Sequence, residues 1–348
     1  MKASEPARLL IRLACFLPFA GGLLLIDWIS VQPPVRPLAT RQFEAAADTL
    51  IAGKSIWLNA SAADLKAVWI TRMRVPKEVV ILGGSRAIQI PEEWFQPRSM
   101  FNAAVFQADL YDMVSVFQLL LETGLAPHLV VLDLNPSLTY RSKSIASALL
   151  APGFRHALTR YRIFPPRFFQ GAFSLDGPRW ELGMLLQPTE WGIADPSVPS
   201  GLYRIRPDGS TDWGGARADM TPDEAEAIAV SQMHHDALDV EHWRTTSQPG
   251  WFDMKILRAF LDDLQSRGIR VVVLLAPVHP AAYDFYTNKG GYDETWIRRE
   301  MAARGITVVG SYSPSAARAT RADFFDGVHT RLPILHRLLS EAGGSSGR

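Results

Sequence analysis

The sequence predicts an α/β protein built on a parallel sheet with helices on both faces. Three observations carry that expectation. Short apolar runs rich in β-branched residues, at 79–82, 129–134 and 271–275, read as strands buried on both sides. Stretches with helical spacing separate them. Polar residues with reactive side chains fall just after these runs or in late loops, at the edge where parallel sheets bind ligands. With 348 residues, 47% of them hydrophobic, the chain can bury a large core.

Taken in order, the chain opens with Lys2, Arg8 and Arg12 ahead of an uncharged apolar stretch that runs to Ile26. Basic residues followed by such a stretch are the pattern of a signal anchor, and residues 1–28 are read as a cytoplasmic N-terminus and a single transmembrane helix. No small-x-small cleavage motif follows Ile26, and Trp28 suits the far interface, so the anchor is read as retained. Cys15 is the only cysteine, which excludes an internal disulfide and any CxxC motif. Residues 29–76 are read as a stalk and leading helix. Three prolines in 29–40 suggest an extended exit, and a helical pattern spans 42–70.

Residues 77–340 are expected to form the main domain. Strands are predicted at 79–82, 100–105, 129–134, 271–275 and 306–309. Helices are predicted at 108–123, where Leu110, Met113, Val114, Phe117 and Leu121 share a face, and at 252–267, 296–304 and 332–339. The alternation breaks at 140–250, a stretch rich in Pro, Trp, Phe and Arg, which is read as an insertion capping the site. Residues 341–348 are read as a disordered tail.

Two short motifs carry chemistry. The first strand stops at Gly83-Gly84-Ser85-Arg86, and Asp326-Gly327-Val328-His329 lies near the C-terminus. A serine hydroxyl needs a base within hydrogen-bond reach to become a nucleophile. His329 can take that proton, and Asp326 can hold its other nitrogen. The combination reads as acyl transfer. Asp133 is read as a strand-end carboxylate that orders the site. Arg86 and His279, each just after a strand, are candidates for contacting substrate, with a structural role as the alternative for both: pairing with a nearby carboxylate, the better reading for Arg86, and a loop histidine for His279. His235, Asp239 and His242 share a helical spacing, but solvated helix residues explain them better than a metal does. No metal or other cofactor is expected. A net charge of +1 without a basic cluster excludes a nucleic-acid footprint.

Around these residues the chain resembles the SGNH (GDSL-like) hydrolase superfamily, in its membrane-anchored bacterial envelope branch. The resemblance covers roughly residues 77–136 and 268–340. Gly84-Ser85 stands at the family's nucleophile block, with glycine in place of the usual Asp. Phe101-Asn102-Ala103-Ala104 stands at the second block, with alanine for the oxyanion glycine, and Leu132-Asp133-Leu134-Asn135 stands at the third. Asp326-Gly327-Val328-His329 matches the last block in full. The resemblance implies a flavodoxin-like three-layer fold with a central parallel sheet. It implies catalysis by Ser85, His329 and Asp326, with the N–H groups of Ser85 (at the start of a helix) and Ala104 and the Asn135 amide as oxyanion donors. It also implies an extracytoplasmic (periplasmic) esterase or O-acyltransferase of the bacterial inner membrane, acting on an acylated envelope glycan or polymer. Relatives in alginate O-acetylation and teichoic acid D-alanylation suggest a membrane O-acyltransferase as partner. Two rival readings stand beside this one: an inactive SGNH-like scaffold that binds glycan or an export complex, and a nucleotide-binding Rossmann-like protein. The second lacks the further glycines of a dinucleotide loop after Ser85.

Overall fold

The computed structural model describes residues 36–59, 61–135, 149–163, 190–194, 203–212, 219–238, 250–288 and 291–344. The elements are α1 (Arg36–Ile51), β1 (Ile56–Asn59), α2 (Ala62–Arg72), β2 (Val79–Leu82), β3 (Met100–Asn102), α3 (Leu110–Glu122) and β4 (Leu129–Asp133). Next come α4 (Ala151–Tyr161), β5 (Glu190–Ile193), β6 (Tyr203–Ile205), β7 (Thr211–Asp212) and α5 (Pro222–Leu238). The chain continues through α6 (Trp251–Ser266), β8 (Arg270–Leu275), α7 (Pro280–Thr287), α8 (Thr295–Ala302), β9 (Thr307–Gly310) and α9 (Leu332–Gly344).

Five strands form one parallel sheet in the order β3-β2-β4-β8-β9. Numbered along the chain, that order is 2-1-3-4-5, which is compatible with a flavodoxin-like fold. Its side chains alternate between two cores. Val80, Leu82, Val130, Leu132, Val273 and Leu275 pack with residues of α2, α3, α4 and α6, among them Trp69, Phe117, Leu158 and Phe260. Val79, Ile81, Val131, Val272 and Leu274 point the other way, onto Ile334, Leu335 and Leu338 of α9. Burying each such side chain is worth about 1.5–3 kcal/mol, so continuous apolar strands are stable only with both faces covered.

Local signals place the helix ends. Asp109 accepts from the N–H groups of Tyr111 and Asp112, and Asp112 accepts from the N–H of Asp109, a capping box at the start of α3. Ser61 caps α2 by accepting from the N–H of Asp64 through its hydroxyl.

Several expectations change. The 42–70 helical pattern is two helices with a strand between them. Gly53, at φ 82°, closes α1 in the left-handed conformation that helix ends favour, and Ser61 opens α2. Residues 36–40, read as extended stalk, are the first turns of α1; Pro37 costs no intrahelical bond there. The second strand stops at Asn102 rather than at residue 105. Residues 341–344, read as disordered tail, extend α9.

The 140–250 insertion is not one cap. α4 packs on α3 and α6, and Leu150, Phe154, Ala157 and Leu158 belong to the core on that side of the sheet. β5, β6 and β7 join β1 in an antiparallel sheet of order β5-β1-β6-β7, so the leading segment and the insertion share one element. The β6–β7 turn docks on the edge strand β3, where the Asn102 N–H donates to Asp208 O at 2.7 Å. Gly209, at φ 84°, leaves no room there for a side chain against Asn102. The transmembrane expectation for 1–28 lies outside the described residues, and among those described no helix is long and apolar enough to cross a membrane. The expected contact of the insertion's remaining segments with the site also lies outside the described residues.

Candidate active site

β2 delivers Ser85 to the carboxyl edge of the sheet, beside the point where strand order reverses between β2 and β4. Residues 85–89 form turns, not the expected helix start, closed by the Ala87 N–H on Gly84 O and the Ile90 N–H on Ala87 O. Asp133, at the end of β4, holds the entry to this turn: its Oδ2 accepts from the Gly84 N–H at 3.4 Å. Burial pushes the Asp133 carboxyl above the ordinary range, against the Arg86 charge and the Gly84 N–H. Arg86 donates to Asp133 Oδ1 at 2.8 Å and to the carbonyls of Leu134 and Ala276. The Tyr312 hydroxyl donates to the same Leu134 carbonyl at 2.6 Å. Arg86 is therefore buried and paired with a nearby carboxylate, the structural one of its two readings, rather than turned toward a substrate.

The second motif folds back on itself. Phe324 bridges Thr330, and the Phe325 N–H donates to His329 O. Inside that bend Asp326 Oδ1 accepts from the N–H groups of Val328 and His329, each at 2.9 Å. Asp326 Oδ2 lies 2.8 Å from His329 Nδ1, and His329 Nε2 lies 2.7 Å from Ser85 Oγ. Serine, imidazole and carboxylate thus stand in one hydrogen-bonded line. Burial alone would raise the Asp326 carboxyl, but its bond to His329 and the two backbone amides hold it below the usual range. It stays ionised and keeps the His329 proton on Nδ1, leaving Nε2 to accept from Ser85.

No protein-family model matches this chain, and no curated protein matches it.

The oxyanion side differs from expectation. The Ala104 N–H donates to Asn102 Oδ1 at 3.0 Å and is not open to a reacting oxygen. Its neighbours are engaged as well: Ala103 N–H on Ile81 O, Val105 N–H on Gly83 O and Ala108 N–H on Val105 O. Gln107 turns its backbone into the left-handed region, at φ 57°, within this loop. Asn135 Nδ2 donates to Ala108 O at 3.1 Å. A Cβ on Gly84 would lie 3.3 Å from that nitrogen, so Asn135 does stand beside the turn that carries Ser85.

Asn102, in the second motif, has a role that the sequence does not assign it. It is fully buried, and its amide nitrogen lies 2.9–3.2 Å from the carbonyls of Ala87, Ile88 and Ile90. It therefore ties the turn after Ser85 to the loop after β3. A polar residue ending an apolar strand was its one signal in the sequence. Gln107 left no signal, since a positive φ at a residue other than glycine is set by tertiary contacts.

His279 is also buried, and burial lowers its pKa. Its ring caps α7, accepting from the Ala281 N–H, and its edge meets Phe324. Its N–H donates to Gly327 O at 3.0 Å, so it props the Asp326–His329 bend and is not exposed to a substrate. On the other side, Gln232 of α5 accepts from the Gly327 N–H at 3.2 Å. Arg321 pairs with Asp223 and Glu226 of the same helix. The insertion thus reaches the bend that carries Asp326 and His329. Of the weighed metal candidates, Asp239, His242 and the His235 side chain lie outside the described residues. Among the described residues no group of three His, Cys, Asp or Glu could hold a metal ion.

Proposed function

We propose that this chain is an SGNH-type serine esterase or O-acyltransferase. In this reading it is anchored by its N-terminus in the bacterial inner membrane and transfers an ester-linked acyl group of an envelope glycan or polymer outside the cytoplasm. The observation that carries the chemistry is the continuous line from Ser85 Oγ through His329 to Asp326. The strand order and the position of Ser85 at the reversal point support the fold assignment.

Ser85 Oγ attacks the acyl carbon while its proton passes to His329 Nε2. The N–H groups of Ser85 and Gln107 and the Asn135 amide receive the developing negative charge; Gln107 replaces Ala104 in this role. When the tetrahedral species collapses, the ester C–O bond breaks and His329 returns the proton to the leaving alcohol. An acyl-Ser85 ester remains. Water or a sugar hydroxyl, deprotonated by His329, then takes the acyl group and restores Ser85. Glycan specificity and a membrane O-acyltransferase partner rest on the resemblance alone.

A fluorophosphonate probe tests the reading. Labelling of the full chain that disappears in Ser85→Ala supports it. A folded wild type that takes no label leaves the inactive scaffold, a reading that the occupied Ala104 N–H favours.

A further inference from the structure

Lys66 sits on α2, in the leading segment outside the motifs of the site, yet it is 1% exposed and lies among the largest buried side chains. Its ammonium reaches the loop after β3 and donates to the Ala104 carbonyl. Among the described residues no carboxylate pairs with it at ion-pair distance. Burial lowers its pKa to about 7, and the charge of Asp208 on the docked turn opposes that shift. An apolar side chain at this core position of a helix would avoid the cost of taking an amine out of water. The lysine therefore has little to offer as a stabilising residue.

Its contact falls at a particular place. The Ala104–Val105 peptide is gripped at both ends, its carbonyl by Lys66 and its N–H by Gly83 O. Gly83 lies two residues before Ser85, and Gln107 lies two residues after Val105. That peptide is the link between the nucleophile turn and the loop that bears the oxyanion donor. We propose that Lys66 is a positioning residue for acyl transfer, holding the Ala104–Val105 peptide so that the Gln107 N–H meets the oxygen of the tetrahedral intermediate. This rests on the assignment of Ser85 as nucleophile.

The test compares full-length wild type with Lys66→Met, using p-nitrophenyl acetate turnover, the rate of fluorophosphonate labelling and thermal melting. The expected result is a kcat lower by about tenfold or more, because small displacements of an oxyanion donor are costly. KM stays within about twofold, since positioning acts on the transition state. The melting temperature is unchanged or higher. A lysine that only supports the fold predicts the reverse: a lower melting temperature, with wild-type kcat in the folded fraction. Lys66→Gln, which keeps an N–H donor, should fall between wild type and Met, and it makes the same comparison if Lys66→Met does not fold. Wild-type kcat in either folded variant overturns the role of Lys66 while Ser85 labelling persists. Absence of labelling in wild type overturns the nucleophile assignment itself, and the role of Lys66 with it.

Discussion

Gly83 and Asp133 approach so closely that a Cβ on residue 83 would stand 2.5 Å from Cβ of Asp133. Both residues lie at the carboxyl ends of adjacent strands, so the clash cannot be relieved by turning a flexible side-chain tip. Gly83→Ala should destabilise the fold by about 1–3 kcal/mol, as overpacking does. It should also slow Ser85 labelling in the protein that remains folded. Urea denaturation with a labelling time course measures both, and a wild-type midpoint would show that the strands part at no cost.

Arg86 and Asp133 form an ion pair with side chains 5% and 0% exposed. Removing one partner strands the other charge, so Arg86→Met should cost about 3–5 kcal/mol. The double variant Arg86→Met/Asp133→Leu should recover part of that loss. A double-mutant cycle in urea reads the coupling; additive losses would mean that the two groups do not depend on each other.

Asp326→Asn should leave the bend folded, because an amide oxygen can still accept from the Val328 and His329 N–H groups. Its NH₂ would face His329 Nδ1 and place the imidazole proton on the wrong nitrogen. The expected loss of kcat is about 10⁴-fold, with KM little changed. Asp326 is held below the usual carboxylate range, so its contribution to stability is present above that range and is lost as pH falls through its lowered folded value. Asp326→Asn should reduce that acid-side dependence; an unchanged acid limb of the melting curve would count against the bonds described.

The donor assigned to Gln107 is a backbone N–H, so the side chain is dispensable. Gln107→Gly should keep kcat and gain about 1 kcal/mol, because glycine adopts a left-handed φ without strain. A large loss of kcat would move the role to the side chain.

Lys66 makes stability rise with pH, as Asp326 does, but over a higher range. Its folded pKa of about 7 lies below the unfolded value of about 10.4. Below the folded value both states hold the proton and the cost of burial is complete. Between the two values the unfolded chain binds the extra proton, so stability rises with pH, by up to about 1.4 kcal/mol per unit. The stability advantage of Lys66→Met should be widest near neutrality and shrink toward about pH 9. A constant gap would contradict this.

The five-stranded sheet was legible because each of its strands is an apolar run flanked by turns, as at Val79–Leu82 and Arg270–Leu275. β1 was not, because Ile56–Asn59 sits between two helical patterns and its partners come from far along the chain. Ser85, Asp326 and His329 were legible as compact motifs; the Asp326–His329 geometry is set by its own short bend, whereas the meeting of His329 with Ser85 is set by the fold. That the Ala104 N–H is occupied was not legible, because its fate is decided by the Asn102 side chain. For Arg86 and His279 the sequence left a substrate contact and a structural role side by side, because position after a strand says nothing about what covers a side chain; here β4 partners and Phe324 cover them, the structural alternative.

The strand β1 has a consequence for how the molecule is made. It leaves the ribosome well over a hundred residues before Glu190–Ile193 and Tyr203–Ile205, the neighbours on its two edges. During synthesis its N–H and C=O groups must wait, exposed to wrong pairing with other chains. Trimming the chain to begin at the first sheet strand would leave β5 and β6 without the strand that joins them.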